Sequence, residues 1–281
     1  MIASIKVMRR GVIVGVLCAC AFAASPYLLQ AELTAYEDFN YTAGTLIGQA
    51  GGTGFAGPWK LVGAGAGMSA VESAGLDYPS LATTGGKVLL TPSQGPELGI
   101  YRKLSHAYNS GTVYVSFLAN LQEGTRFFGL ALVDSNMNRP IVIGRNTGLM
   151  QWTLSGSVIK NGVTGKSEIT LKTTTLFVLR IDFDMSGDNE RIRLYVNPTL
   201  ESEPEKSTIV LNTNSSFVFD GIMICAGYIK DDYTTAIASF DEIRVGGSYE
   251  DVLPKGDQKS SFNEKNSAAP SSEKQQLLCS Q

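Results

Sequence analysis

Histidine occurs once in the 281 residues, as His106 in the run Leu104-Ser105-His106-Ala107-Tyr108. A Ser-His-Asp or Cys-His arrangement therefore has one candidate base, standing near a turn where a surface histidine is the expectation. No Cys-x-x-Cys and no His-x-His is present, which removes the usual ligand sets of zinc. Cysteine is scarce too: Cys18 and Cys20 fall in the N-terminal apolar run, leaving Cys225 and Cys279 without the spacing of a disulfide framework. Cys225 sits in Ile222-Met223-Ile224-Cys225-Ala226, where a buried, inert thiol is expected. Charged residues make up only 17% and the net charge is −3, with no basic stripe, so nucleic acid is not an expected partner. The glycines of Gly51-Gly52-Thr53-Gly54 lack a following Lys-Ser/Thr and a strand-to-helix switch, which excludes a phosphate loop. Helical periodicity is missing from Leu33 to Val252.

What is present begins with a targeting segment. Lys6, Arg9 and Arg10 precede the apolar run Gly11 to Ala24, followed by Ala21, Ala23, Ala24 and Ser25 as small residues near a cleavage point. The run is shorter than the ~20 residues a membrane span needs, and Ser25-Pro26 interrupts it. Residues 1–31 are expected to be a secretory signal, and the protein to be secreted, periplasmic or at the cell surface, with no stable membrane span after cleavage. Cleavage removes three cations and no acid, so the mature charge becomes −6. Residues 255–281, rich in Ser, Lys, Gln and Glu, are expected to form a disordered tail. Residues 32–254 remain as a single domain.

With 43% hydrophobic residues and 30 glycines, that domain has a core's worth of apolar side chains and many turns. Strands are expected at Ala35–Tyr41, Lys87–Leu90, Leu98–Leu104, Gly111–Asn120, Arg126–Val133, Ile141–Gly144 and Leu149–Leu154. The clearest hairpin pairs Leu176–Phe183 with Arg191–Val196, and Asn197-Pro198 ends its second strand because proline cannot donate to the ladder. Phe217–Ala226 and Ala236–Val245 complete the core. Turn signals every ~8–15 residues indicate a sandwich rather than βαβ units. In the last strand, Ala236-Ile-Ala-Ser-Phe-Asp-Glu-Ile-Arg-Val245, the apolar set does not keep to one face. Either a bulge near Ser239 brings Phe240 inside with Ile243 and Val245, or the strand is central and covered on both sides. Asp241-Glu242 beside that irregularity could hold a cation or an arginine.

Three segments together resemble a known family: Tyr36-Glu37-Asp38-Phe39-Asn40-Tyr41 with Gly51-Gly52-Thr53-Gly54-Phe55-Ala56-Gly57-Pro58-Trp59, then Leu194-Tyr195-Val196-Asn197-Pro198, then Phe240-Asp241-Glu242-Ile243-Arg244-Val245-Gly246. They are similar to the concanavalin A-like jelly rolls of the laminin G, lectin and glucanase superfamily, and more narrowly to secreted bacterial domains found upstream of PEP-CTERM-type sorting signals. The resemblance spans about Leu33 to Val252. It implies an all-β fold, a two-sheet antiparallel jelly-roll sandwich, on which lectins, glycosidases, lyases and adhesive modules are all built. It also implies a structural calcium shared by an acid near the N-terminus and one on the last strand, positions matched by Glu37 and Asp241; hydrogen bonds or an ion pair with Arg244 are the alternative. Two departures stand out. The chain has no Glu-x-Asp-x-x-Glu run of the glucanase branch, and its tail lacks the Pro-Glu-Pro, apolar and basic ending of sorted members.

Among candidate sites, Asp182, Asp184, Asp188 and Glu190 read as solvated acids flanking a turn, as paired carboxylates for glycoside hydrolysis, or as part of a calcium loop whose twelfth position is Arg193 instead of an acid. Sugar binding would use aromatic faces, with Trp152, Tyr101, Tyr228 and Tyr233 as candidates beside a core reading for each, while Trp59 staples the glycine-rich loop. The expected role is a non-catalytic, lectin-like or adhesive module for a polysaccharide or cell-surface glycan. The alternatives are a glycoside hydrolase or polysaccharide lyase, and a structural extracellular module.

Overall fold

A computed structural model of the chain describes residues 33–160, 162–183, 189–229 and 234–255. The expected signal segment, nearly all of the expected tail, Cys279, Asp184, Asp188 and Tyr233 lie outside them. In chain order the strands are β1 (Leu33–Glu37), β2 (Gly44–Thr45), β3 (Lys60–Val62), β4 (Ala66–Glu72), β5 (Lys87–Gln94) and β6 (Glu97–Tyr108). Next come β7 (Thr112–Gly124), β8 (Phe128–Val133), β9 (Ile141–Arg145), β10 (Gln151–Ser155) and β11 (Val163–Glu168). The series closes with β12 (Thr175–Asp182), β13 (Arg191–Val196), β14 (Ile209–Asn212), β15 (Phe219–Ile229) and β16 (Thr234–Gly246), followed by one helical turn, α1 (Tyr249–Val252). No helix among the described residues is long and apolar enough to cross a membrane.

These strands form two antiparallel sheets, a jelly-roll sandwich. The first sheet runs β2-β4-β5-β16-β7-β12-β13-β14, with β1 also on β16, alongside its C-terminal half. The second runs β3-β6-β15-β8-β9-β10-β11. The β15–β16 hairpin, paired through Tyr228↔Thr235 and Ile229↔Thr234, passes from one to the other.

Period-two alternation fills the space between the sheets. From β7 come Val113, Val115, Phe117, Ala119 and Leu121, all buried and all in the main core cluster. Phe117 stacks on Phe177 of β12 at 4.8 Å between centroids, and Trp152 of the second sheet meets Phe177 edge-on at 4.6 Å. Phe128 closes the group against Trp152 at 5.5 Å. Trp152 is 2% exposed. It is a core residue, and its expected role as a sugar platform is corrected: an indole with ring partners on both sheets has no face left for a ligand.

The other face of the first sheet is also buried. Tyr114, Leu118, Leu176, Val178 and Tyr195 point outward into a second apolar cluster with Leu76, Leu81, Leu200, Tyr249 and Val252. Three chain segments supply that cover: 73–86 between β4 and β5, 197–208 between β13 and β14, and α1. The helical turn is fixed by a capping box in which Ser248 and Asp251 exchange hydrogen bonds. This double burial explains why β7 and β12 read as nearly continuous apolar runs.

The last strand is both bulged and covered on its two faces, but the residue that brings Phe240 inside with Ile243 and Val245 lies past Ser239, at Asp241-Glu242. Ala236, Ala238, Phe240, Ile243 and Val245 all face the core, so one extra residue is inserted between Phe240 and Ile243. The register against β7 shifts between Asp241 and Arg244, and Glu242 takes a left-handed φ of 54°. A further shift falls between Ile237 and Ala238.

Candidate functional site

The inserted residue turns the two acids Asp241 and Glu242 into anchors. Asp241 Oδ2 accepts from the Leu76 amide at 2.7 Å and its Oδ1 from the Glu242 amide at 2.7 Å. Glu242 accepts from the Thr84 amide at 2.5 Å, the Tyr36 hydroxyl at 2.8 Å and the Arg244 guanidinium. Arg244 donates in addition to the Ala82 carbonyl at 2.7 Å and lies 4.8 Å over the Tyr36 ring. Three of these bonds, to Leu76, Thr84 and Ala82, fasten segment 73–86 to the sheet. Gly85 has a φ of +65°, and a Cβ there would lie 2.1 Å from the Asp38 carbonyl oxygen, so only glycine fits.

Burial pushes the Asp241 carboxyl up to about 8, outweighing its two backbone donors, and burial raises Glu242 as well, against Arg244. A folded-state value above the unfolded one means that the native state holds the extra proton, so stability falls as pH rises through the interval. The expected outcome is a loss of about 2 kcal/mol attributable to Asp241 between pH 6 and pH 8, with the slope flattened in Asp241→Asn. Denaturant titrations of both proteins at the two pH values check it; equal slopes would contradict it.

Glu37 lies on the opposite face of the same sheet, opposite Ile243 in the β1–β16 register and facing the core. Its oxygens accept from Trp59 Nε1 at 2.9 Å, the Tyr41 hydroxyl at 2.7 Å, the Phe39 amide at 2.9 Å and the Arg102 guanidinium. Arg102 in turn donates to the carbonyls of Gly57 and Gly51 and stacks 4.2 Å over the Phe55 ring. Trp59 is thus the staple of the glycine-rich loop, as expected, with Glu37 as its acceptor.

Glu37 and Asp241 therefore do not meet across one ion. One faces the core and the other the outer cover, and the oxygens of each are occupied by N–H or O–H donors. Calcium takes six to eight oxygen ligands, and this donor set does not fit it. Among the described residues no group of three or more His, Cys, Asp or Glu side chains is placed to hold a metal.

The other expected sites are distributed as follows. Asp182 is gripped by Arg180 Nε at 2.8 Å, Arg193 Nη1 at 2.6 Å and Thr112 Oγ1 at 3.0 Å, which leaves it no catalytic freedom. Glu190 is 4% exposed with an unpaired Oε2. Tyr101 stands on the outward face of the second sheet, its ring over Gly221, where a Cβ would meet it at 2.3 Å. Tyr228 is placed by its backbone in β15. His106 is exposed, and burial pushes the Cys225 thiol up to about 12, as befits an inert core cysteine.

What the structure does assemble is an open cavity of about 770 Å³ on the covered side of the first sheet. Its walls are Asp77-Tyr78-Pro79-Ser80 from segment 73–86, Lys172-Thr173-Thr174 from the approach to β12, and Asn197 to Glu201 from segment 197–208. Of the six non-glycine residues with left-handed φ among those described, three line it: Ser80 (63°), Lys172 (59°) and Asn197 (50°). Each marks a turn that aims a wall. The Lys172 amide bonds the Leu121 carbonyl at 2.8 Å, while Asn197 closes on Leu176 through both its amide and its Oδ1. Left-handed backbone costs a non-glycine residue ~1–2 kcal/mol, and such positions concentrate at functional sites.

Tyr78 is half-buried against the outer apolar cluster, and its hydroxyl has no protein partner among the described residues. Among the described residues the side chains of Asp77, Ser80, Lys172 and Glu201 likewise make no hydrogen bond or ion pair. Sequence reasoning missed this site. Tyr78-Pro79 and Asn197-Pro198 were its only local signals, two X-Pro turns that face each other only after folding.

No family model matches the chain, and no curated protein matches it. Among solved structures it is similar to the endo-1,3-beta-glucanase from Streptomyces sioyaensis, at 11% identity and a TM-score of 0.48, over 77% of this chain and 96% of that one. It is similar also to domain 4 of AbnA, a GH43 extracellular arabinanase from Geobacillus stearothermophilus solved with arabinotriose, at 14% identity and a TM-score of 0.46, over 79% and 98%.

Proposed function

We propose that the protein is an extracellular glycan-binding module and that the cavity between segments 73–86, 172–174 and 197–201 is its saccharide site. One observation carries this reading: a half-buried tyrosine ring shares an open cavity of ligand size with unengaged carboxylate, ammonium and hydroxyl groups. Sugars are bound in this manner, with an aromatic face against the apolar side of the ring and polar groups on its hydroxyls. Next to Thr174, one residue beyond the Thr175↔Ala119 pair, Asn120 has a buried, unpaired Oδ1, and its cross-strand neighbour Ser239 an unpaired Oγ. Neither residue lines the cavity, and a buried water would satisfy both.

Tyr78→Ala is expected to lower retention on a glycan array or immobilised polysaccharide at least tenfold while the melting temperature moves by only a few degrees. If the wild-type chain retains no glycan, or the variant retains as much as the wild type, the reading fails.

Cleavage of the bound glycan is the second reading, favoured by the presence of two carboxylates, Asp77 and Glu201, on one cavity. Hydrolysis requires one such acid to stay protonated, which is achieved by burial, whereas both of these are exposed. Release of reducing ends by the wild type, lost in Asp77→Asn or Glu201→Gln, would establish it over simple binding.

A further inference from the structure

Segment 197–208 supplies one wall of the cavity, and three of its bonds to the sheet converge on a single carboxylate. Glu203 Oε2 accepts from the Tyr114 hydroxyl at 2.7 Å and from Arg180 Nη1 at 2.8 Å, and its Oε1 accepts from the Tyr195 hydroxyl. The three donors come from three adjacent strands, β7, β12 and β13, and they are themselves immobilised. Arg180 is fixed by Asp182 on one side and lies 5.6 Å over the Tyr114 ring on the other, while Asp182 is gripped again by Arg193. Tyr114 and Tyr195 both pack edge-on against Tyr249 of α1. Burial opposes the charge on Glu203, but the tyrosine hydroxyls and Arg180 hold its carboxyl below the usual range, so it is ionised wherever the protein is folded near neutral pH.

We infer that Glu203 is the positioning residue of the saccharide site, a latch that sets the distance between the Asn197–Glu201 wall and Tyr78. This rests on the reading of the cavity as the ligand site. Glu203 itself does not line the cavity; it stands two residues past Glu201 and bonds the strands instead. The other ties of the segment bear on its two ends and on Thr199: Asn197 bonds Leu176 through its amide at 2.8 Å and its Oδ1 at 2.9 Å, the Thr199 carbonyl accepts from the Tyr249 hydroxyl at 2.6 Å, and Thr208 Oγ1 accepts from the Val196 amide at 3.0 Å. A carboxylate that accepts three charge-assisted or hydroxyl bonds at once is a stiffer tether for the residues beyond Glu201 than any one of these.

Hydrogen exchange and saccharide affinity on the full chain test the latch together. Glu203→Ala is expected to speed amide exchange at residues 199–203 at least tenfold, leave exchange in β7 and β12 unchanged, and weaken saccharide binding at least tenfold. The double variant Tyr114→Phe with Tyr195→Phe, which leaves the segment itself untouched, should reproduce both effects in part, and Glu203→Gln, which keeps one acceptor oxygen, should restore part of the protection. Exchange that is unchanged in Glu203→Ala, or raised equally in the core strands, overturns the latch. So does faster exchange of the wall with undiminished affinity. If the wild type binds no saccharide, the reading of the cavity fails by itself, and the exchange rates still decide whether the tether exists.

Discussion

Arg102→Met is expected to destabilise the protein by about 3–5 kcal/mol, because it strands the Glu37 carboxylate in the core without its counter-charge. The pair is deeply buried, at 2% and 0% side-chain exposure. Glu37 is pushed upward by burial even with Arg102 in place. Without the guanidinium its proton affinity rises further, so the variant should recover part of its stability on acidification, as the carboxyl neutralises. Glu37→Gln added to Arg102→Met should restore part of the loss at neutral pH, since no bare charge remains while Trp59 Nε1 keeps an acceptor. Urea titrations at pH 5 and pH 7.5 measure all three effects; a loss below about 1 kcal/mol would mean that the guanidinium is dispensable to the glycine-rich loop.

Trp152→Ala should cost about 3–5 kcal/mol, the usual consequence of emptying a large aromatic site that cannot collapse. Phe128 and Phe177 would both lose their edge contact with the indole, and the two sheets their principal aromatic bridge. Glycan retention by the fraction that remains folded should be unchanged, because the indole has no route to solvent. A variant that melts like the wild type but loses its ligand would reverse the assignment of Trp152 to the core.

The elements legible in the sequence are those whose pattern is set by their own side chains. The hairpin of Leu176–Phe183 and Arg191–Val196 appears as β12 and β13 with in-register pairs from Phe177↔Val196 to Asp182↔Arg191, because alternation and a turn-rich link define it locally. The break in the Ala236–Val245 pattern was visible as well, but its place was not: the extra residue lies at Asp241-Glu242, where two acids find donors from segment 73–86, a segment whose proximity depends on the whole topology. Strands β2 and β3 escaped notice because they are only two and three residues long, and β4 because Ala66-Gly-Met-Ser-Ala-Val-Glu72 carries too few large apolar side chains to show alternation. Trp152 could not be assigned from sequence, since an indole suits a sugar platform and a core equally well until its neighbours are known. Asp77, Tyr78, Lys172 and Glu201 are up to 124 residues apart in the chain and ordinary in composition; only the stacking of three loops on the outer face of the first sheet brings them to one cavity.

Backbone amide shifts of the isotope-labelled full chain, titrated with the oligosaccharides that a glycan array selects, are the most direct test of the saccharide site. Perturbations confined to residues 77–80, 172–174 and 197–201, fitting one binding curve and vanishing in Tyr78→Ala, are the result expected. Perturbations that instead map to the outward face of the second sheet, around Tyr101 and Met223, with the cavity silent, would contradict it.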